Sequence, residues 1–171
     1  MPIRHPTPAE LAAAADRRIP DILAPDLKLW FCGINPGLYS AWAGHHFARP
    51  GNRFWRVIHA AGFTPELLHP SDDGRLLTWG YGLTNLVERP TAGAAGLSAD
   101  ELRAGWAVLE AKIHAYQPGV VAVLGISAYR LAFDRPRAGL GLQPERVGQT
   151  ALWVLPNPSG LNAHYGLPEL I

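Results

Sequence analysis

Little in this chain would staple, anchor or metallate it. One cysteine stands among 171 residues, which excludes an intrachain disulfide framework and any four-cysteine zinc or iron–sulfur site. That residue, Cys32, lies in the apolar run LWFCGI, where a buried reduced thiol is expected rather than a nucleophile. No stretch approaches the roughly eighteen uninterrupted apolar residues of a membrane span. The N-terminus lacks the basic-then-apolar order of a signal peptide, so the default compartment is the cytoplasm.

Charge is scarce and uneven. Only 17% of residues are charged, and 15 Lys and Arg against 14 Asp and Glu leave a net +1, a balance that by itself predicts no nucleic-acid partner. Its distribution says more. No acid occurs from Leu27 to Pro65, a segment that holds Lys28, Arg49, Arg53 and Arg56 beside His45, His46 and His59. From Val147 to Pro168 there is no formal charge at all. A polyanion approaching these two segments meets no carboxylate; equally, segments that are largely buried are uncharged for that reason, and composition leaves both readings open.

What is present is a globular composition, 48% hydrophobic with six Trp, five Tyr and five Phe. A chain of this size buries roughly two-thirds of its extended surface, so it needs no metal or disulfide to hold a core. Residues 1–20, rich in Pro, Ala and Arg, read as a peripheral arm with a short helix that ends before Pro20. Residues 21–171 read as a single domain without repeats or a linker. The apolar run from Lys28 to Gly33 predicts a buried strand, GVVAVLG a second and TALWVLP a third, with a further short buried segment near Gly82 to Val87. Residues 38–51 read as a loop, followed by a helix capped by Asn52 and stopped at Gly62. Ser98 and Glu101 form a capping box for the best helix in the chain, which carries Leu102, Trp106, Leu109 and Ile113 on one stripe and stops at Pro118. ISAYRLAF makes another helix, and 136–144 read as Gly and Pro turns. Such an order predicts an α/β fold, a three-layer sandwich around a central, mainly parallel sheet.

Two of the strands end alike. LWFCGI runs into Asn35-Pro36-Gly37, and LWVLP runs into Asn157-Pro158-Ser159-Gly160. One Asn-Pro pair merely ends a strand. Two, both beyond the carboxyl ends of parallel strands, point to a ligand site. The residues around them exclude much chemistry: there is no phosphate loop, no GxGxxG and no GxSxG elbow, no nearby acid to complete a metal site with His45-His46, and few acids close to the strand ends, which disfavours a paired-carboxylate glycosidase. A pocket of amides, backbone and an aromatic ring remains, which suits a planar polar ligand such as a nucleobase.

At this point the motifs become recognisable. FCGINPG at 31–37, GHHFARPGNRFW at 44–55, GLTNLVERPT at 82–91, YQPGVVAVLG at 116–125, GLQPERVG at 141–148 and LPNPSGLN at 155–162 resemble, in order and spacing, the mismatch-specific uracil/thymine-DNA glycosylase family of the uracil-DNA glycosylase superfamily. The resemblance covers about residues 21–165 and implies that superfamily's fold. It implies that Asn35 positions a water against the anomeric carbon. Phe47 would stack on a flipped base, in a pocket shared with Ile34, Gly37, Ser40, His46 and Asn85. Gly160 and Leu161 resemble the wedge that enters the duplex, on a loop with Asn157, Ser159 and Asn162. Lys28, Arg49 and Arg53 are candidates for phosphate contacts. The implied protein is a monomeric, monofunctional base-excision enzyme without metal or cofactor, acting on double-stranded DNA with G·U or related mismatches. Ser40 is similar to the uracil-preferring pattern, whereas GHHF, TNLVERPT and GLQP resemble the thymine-processing branch. Relatives usually continue into a final helix, whereas this chain ends soon after His164-Tyr165. Two rivals keep the same residues: a non-catalytic sensor of mismatched or abasic DNA, and a hydrolase of small nucleosides.

Overall fold

Continuous apolar runs of five or six residues suit strands covered on both faces, and the chain has three of them. In the computed structural model, which describes residues 4–160, 162 and 165–171, they become β1 (Leu29–Gly33), β3 (Val120–Leu124) and β5 (Thr150–Leu155). β2 (Tyr81–Asn85) and β4 (Gly141–Val147) complete one sheet in the order β2-β1-β3-β5-β4. Every pairing is parallel except that of β4 with β5. Among the described residues the α-helices are α1 (Pro8–Ala13), α2 (Leu38–Ala43), α3 (Phe54–Ala60), α4 (Ala99–Tyr116), α5 (Ile126–Ala132) and α6 (Leu167–Leu170).

Alternation along each strand divides the core in two. Trp30 and Cys32 of β1 join Val121 and Val123 of β3 and Leu152 and Val154 of β5 on one face, beneath Leu102, Leu109 and Ile113 of α4 and Tyr129 of α5. Phe31 and Ala122 turn the other way, toward Phe54, Trp55 and Ile58 of α3. Helices thus lie on both sides of the sheet. Each fully buried large side chain contributes about 1.5–3 kcal/mol by leaving water. Cys32 sits at 0% exposure, and burial pushes its thiol pKa up to about 12, so it is an inert core residue.

Two elements differ from the sequence reading. Residues 38–43, read as loop, form α2, which starts at Gly37 and ends at Gly44 in the left-handed region. The segment 136–144, read as turns, contains most of the edge strand β4, whose only fully buried residues are Gln143 and Val147. The short helix of the arm is present as α1, with Thr7 and Glu10 as its capping box. It packs against α2, and beyond it Ala14 and Ile19 are buried. Among the described residues no helix is long and apolar enough to cross a membrane.

The strand order fixes where a ligand can bind. From β1 the chain moves to β2 on one side and then returns past β1 to β3 on the other, so the direction of winding reverses between β1 and β3. At such a reversal the connections leave in opposite directions and open a crevice beyond the carboxyl ends of the strands.

Candidate active site

That crevice is a cavity of about 400 Å³, within the usual size of small-molecule sites, roughly 300–1,000 Å³. Gly33, Ile34 and Asn35 enter it from the end of β1, Asn85 from β2, Leu124 and Gly125 from β3, and Pro156 and Asn157 from β5. The two Asn-Pro turns therefore face one space. Among the described residues that line it, none is an Asp or Glu.

The first turn is stitched to the segment after β2. Leu86 and Val87 donate their N–H groups to the Gly33 and Ile34 carbonyls at 2.8 and 2.9 Å, and further along Thr91 N–H reaches Pro36 O at 3.1 Å. Across this seam Asn35 Nδ2 donates to Arg89 O and to Thr91 Oγ1, both at 2.8 Å. A carbonyl can only accept, and the Thr91 hydroxyl spends its proton on Gly93 O at 2.6 Å. The amide orientation is therefore determined: both Asn35 donors are used and Oδ1 is the end left to accept from something else. Arg89 is held in turn. Its Nε and Nη2 engage both carboxylate oxygens of Glu101 at 2.7 and 3.0 Å, and Nη2 reaches Gly96 O at 3.0 Å. The Arg89 guanidinium, with the Ser98 N–H, holds the Glu101 carboxyl down at about 2.

The opposite wall comes from the residues after α2. Phe47 has φ 52°, a conformation that costs a non-glycine residue about 1 kcal/mol or more and persists only where its surroundings enforce it. His46 supplies that enforcement. Its N–H donates to Asp73 Oδ2 at 3.1 Å, its C=O accepts from Trp55 Nε1 at 3.2 Å, and its Nε2 lies 2.9 Å from Pro20 O. Because the Pro20 carbonyl only accepts, Nε2 carries the proton, and burial keeps the imidazole pKa below its ordinary value. His46 is thus neutral, with Nδ1 an acceptor. Phe54 stacks on one face of the Phe47 ring, centroids 4.1 Å apart at 23°. At the ring's edge a Cβ on Gly33 would lie 3.3 Å from Phe47 Cζ and 2.6 Å from Asn85 Oδ1. A side chain there would displace the Asn85 carboxamide and press on the Phe47 ring. Ser40 is 5% exposed, and its Oγ accepts from Ala48 N–H at 3.0 Å. The Asn85 carboxamide lies on the cavity wall beside the Gly33 end of β1.

The second turn is folded on itself. Asn157 Oδ1 accepts from Ser159 N–H at 2.9 Å, and Asn157 O accepts from Asn162 Nδ2 at 2.9 Å. Its Ser159 and Asn162 join the cavity wall, while Gly160 backs onto Gly51 O. Leu161, the expected wedge, lies outside the described residues.

Most of the expected site residues gather here: Asn35 and its neighbours Ile34 and Gly37, then Ser40, His46 and Phe47, then Arg49 and Asn85, and Asn157, Ser159 and Asn162 from the second turn. Two of the three expected phosphate contacts do not. Lys28 precedes β1 and lies at the amino edge of the sheet, seven residues or about 20 Å along the strand from Asn35. Arg53 is engaged with the carbonyls of the second turn. Asn52 caps by accepting from Phe54 N–H at 2.9 Å, with Arg53 at the N-cap of α3. Arg89, Thr91, Asp73, Ile19 and Pro20 were not singled out by the sequence. Arg89 and Thr91 stood inside GLTNLVERPT, and that block was the signal available for them. Asp73 comes to His45 Nδ1 at 3.2 Å, and nothing in the sequence places it there.

The family model of the uracil DNA glycosylase superfamily matches residues 20–169, and the chain belongs to that superfamily. Its mainly parallel five-stranded sheet with helices on both sides is the corresponding α/β fold. Membership supports a DNA glycosylase, a hydrolase of base-excision repair with DNA as its substrate.

Proposed function

We propose that this uracil DNA glycosylase superfamily member is a mismatch-directed enzyme that hydrolyses the N-glycosidic bond of uracil in double-stranded DNA, G·U pairs above all, and leaves an abasic site. The observation that carries the reading is the Asn35 carboxamide. Arg89 O and Thr91 Oγ1 take both its N–H groups, so Oδ1 is presented as a fixed acceptor in a cavity whose described lining residues include no carboxylate.

The chemistry follows from what such an amide can do. Asn has no useful protonation near neutral pH, so it takes no proton from water. It orients the water instead, and orientation alone removes several kcal/mol of barrier. The bond to the base breaks ahead of attack, giving an oxocarbenium-like sugar and negative charge on the departing pyrimidine. Main-chain N–H groups around Ile34, Asn35 and Phe47 donate to the carbonyl oxygens where that charge grows. Water then adds its oxygen to the anomeric carbon, and its proton goes to solvent or to the released base. A weakly activated water suits a good leaving group, which favours uracil over thymine. A G·U pair also costs less to open than a normal pair, and opening costs a few kcal/mol. Phe47, with one ring face already on Phe54, offers the other to the extruded base. Ser40 lines the C5 edge, where the thymine methyl would sit.

The test is direct. The protein is incubated with a G·U duplex, treated with alkali, and the strand is examined for cleavage at uracil. Cleavage at uracil opposite G, slower for thymine opposite G, is the expected result. No cleavage at stoichiometric protein overturns the reading, and retention on abasic DNA without base release would point to a sensor instead.

A further inference from the structure

One cation organises the turn after β5, and the cavity does not use it. The Arg53 N–H and Nε donate to Pro158 O at 3.0 and 3.3 Å, Nη2 to Ser159 O at 2.6 Å and to Asn162 O at 3.3 Å, and Nη1 to Tyr165 O. Four of the five guanidinium N–H groups are spent on carbonyls of one short segment. Two residues earlier, Gly51 O lies where a Cβ on Gly160 would come within 2.6 Å. The segment is thus held by the hydrogen bonds of Arg53 and by close backbone packing of Gly160 on Gly51, both more than 100 residues away in sequence.

Four carbonyl dipoles that point their negative ends at one place repel one another unless a cation stands there. No carboxylate pairs with Arg53 among the described residues, so its charge serves these carbonyls. Ser159, Asn162 and Tyr165, three of the residues it holds, also line the cavity. We infer that Arg53 is a positioning residue for base excision: it fixes the post-β5 segment as the wall facing Asn35 and is not itself a phosphate ligand. A lysine cannot replace it, because a single ammonium lacks the planar fork that reaches carbonyls on several sides. This inference rests on the glycosylase reading above.

Single-turnover excision from a G·U duplex at saturating enzyme is compared for wild type, R53A and R53K. R53A should be slower by about a hundredfold, the scale of an ångström-sized misplacement. R53K should stay slow, and added guanidinium ion should restore part of the R53A rate where ammonium at the same concentration does not. The salt dependence of duplex binding should keep its wild-type slope. A phosphate ligand would behave otherwise: its loss lowers that slope by about one and leaves the saturated rate intact, and that pattern overturns the inference. So does an R53A rate equal to wild type. Hydrogen exchange at the Ser159 and Asn162 amides is read on the same proteins, with R53K serving if R53A folds poorly. Faster exchange in the variant is expected even if wild type releases no uracil, which separates a failed substrate reading from a failed positioning role; wild-type protection overturns the positioning role by itself.

Discussion

The two Asn-Pro turns look alike in sequence and use their amides in opposite ways. At the end of β1, Asn35 sends both N–H groups outward to residues 54 and 56 positions away and keeps its oxygen for the cavity. At the end of β5, Asn157 turns its oxygen inward to Ser159 N–H, two residues on, and a distant arginine holds the remaining carbonyls. One turn presents an acceptor to the cavity. The other builds a wall. The dipeptide sets where each turn falls, and partners remote in sequence set what each does.

The sharpest way to break this comparison is to remove each turn's own device. N35A deletes the fixed acceptor and should slow single-turnover uracil release by about a thousandfold, the scale of a lost positioning group at a reacting centre. Duplex affinity, measured by gel shift, should stay near wild type. If instead the rate holds and affinity falls, Asn35 is a binding residue and the contrast with Asn157 disappears. G160A attacks the other turn. Its Cβ would meet the Gly51 carbonyl at 2.6 Å, backbone against backbone, so the turn must shift by overpacking, which costs about 1–3 kcal/mol. The expected outcome is a rate lowered about tenfold to a hundredfold, with uracil binding to the free cavity less affected. A rate equal to wild type would show that the second wall is dispensable.

A smaller effect sharpens the first turn. T91V removes the hydroxyl that accepts from Asn35 and donates to Gly93, and leaves Arg89 O as the one remaining anchor. A hydrogen bond is worth about 1 kcal/mol, so losing the anchor on Asn35 corresponds to a rate loss of roughly fivefold, read in single turnover, while the loss of both bonds at this buried residue also lowers the melting temperature. A loss as large as that of N35A would mean that Thr91 itself holds the water.

Legibility in the sequence followed the same division between local and remote. β1, β3 and β5 were readable because each is buried on both faces and therefore continuously apolar. β4 was not: it is an exposed edge, its register shifts between Leu142 and Arg146, and Pro144 interrupts it, so it carries the composition of a turn. α2 was too short for a periodic signal and is bounded by glycines. The site was legible as a set of motifs, but the bonds that orient it were not. Asn35 depends on Arg89 and Thr91, His46 on Pro20 and Asp73, and the second turn on Arg53, each pair separated by 26 residues or more. Arg53 and Lys28 show the limit of reading charge alone. Both lie in the acid-free segment, yet one is spent on carbonyls and the other sits at the far edge of the sheet.

The smallest expected effect tests how far the support of Asn35 extends. The Arg89 carbonyl that receives Asn35 Nδ2 belongs to a residue tied by its side chain to Glu101, whose carboxyl is held at about 2 against an ordinary 4.5. The folded protein binds that proton less readily than the unfolded chain. The link therefore stabilises fully above about pH 4.5 and is lost as the pH falls through about 2. The pair is solvent-exposed, so the contribution is small. E101Q separates charge from capping, because glutamine at this position can still complete the capping box with Ser98. Wild type should melt slightly above E101Q at neutral pH, and the gap should close on acidification toward about pH 2. Salt should narrow it as well, as for any exposed ion pair. A gap that is the same at both ends of the pH range would mean that Glu101 acts as a neutral cap, and that the path from α4 to Asn35 runs through the main chain of residues 89–91 alone.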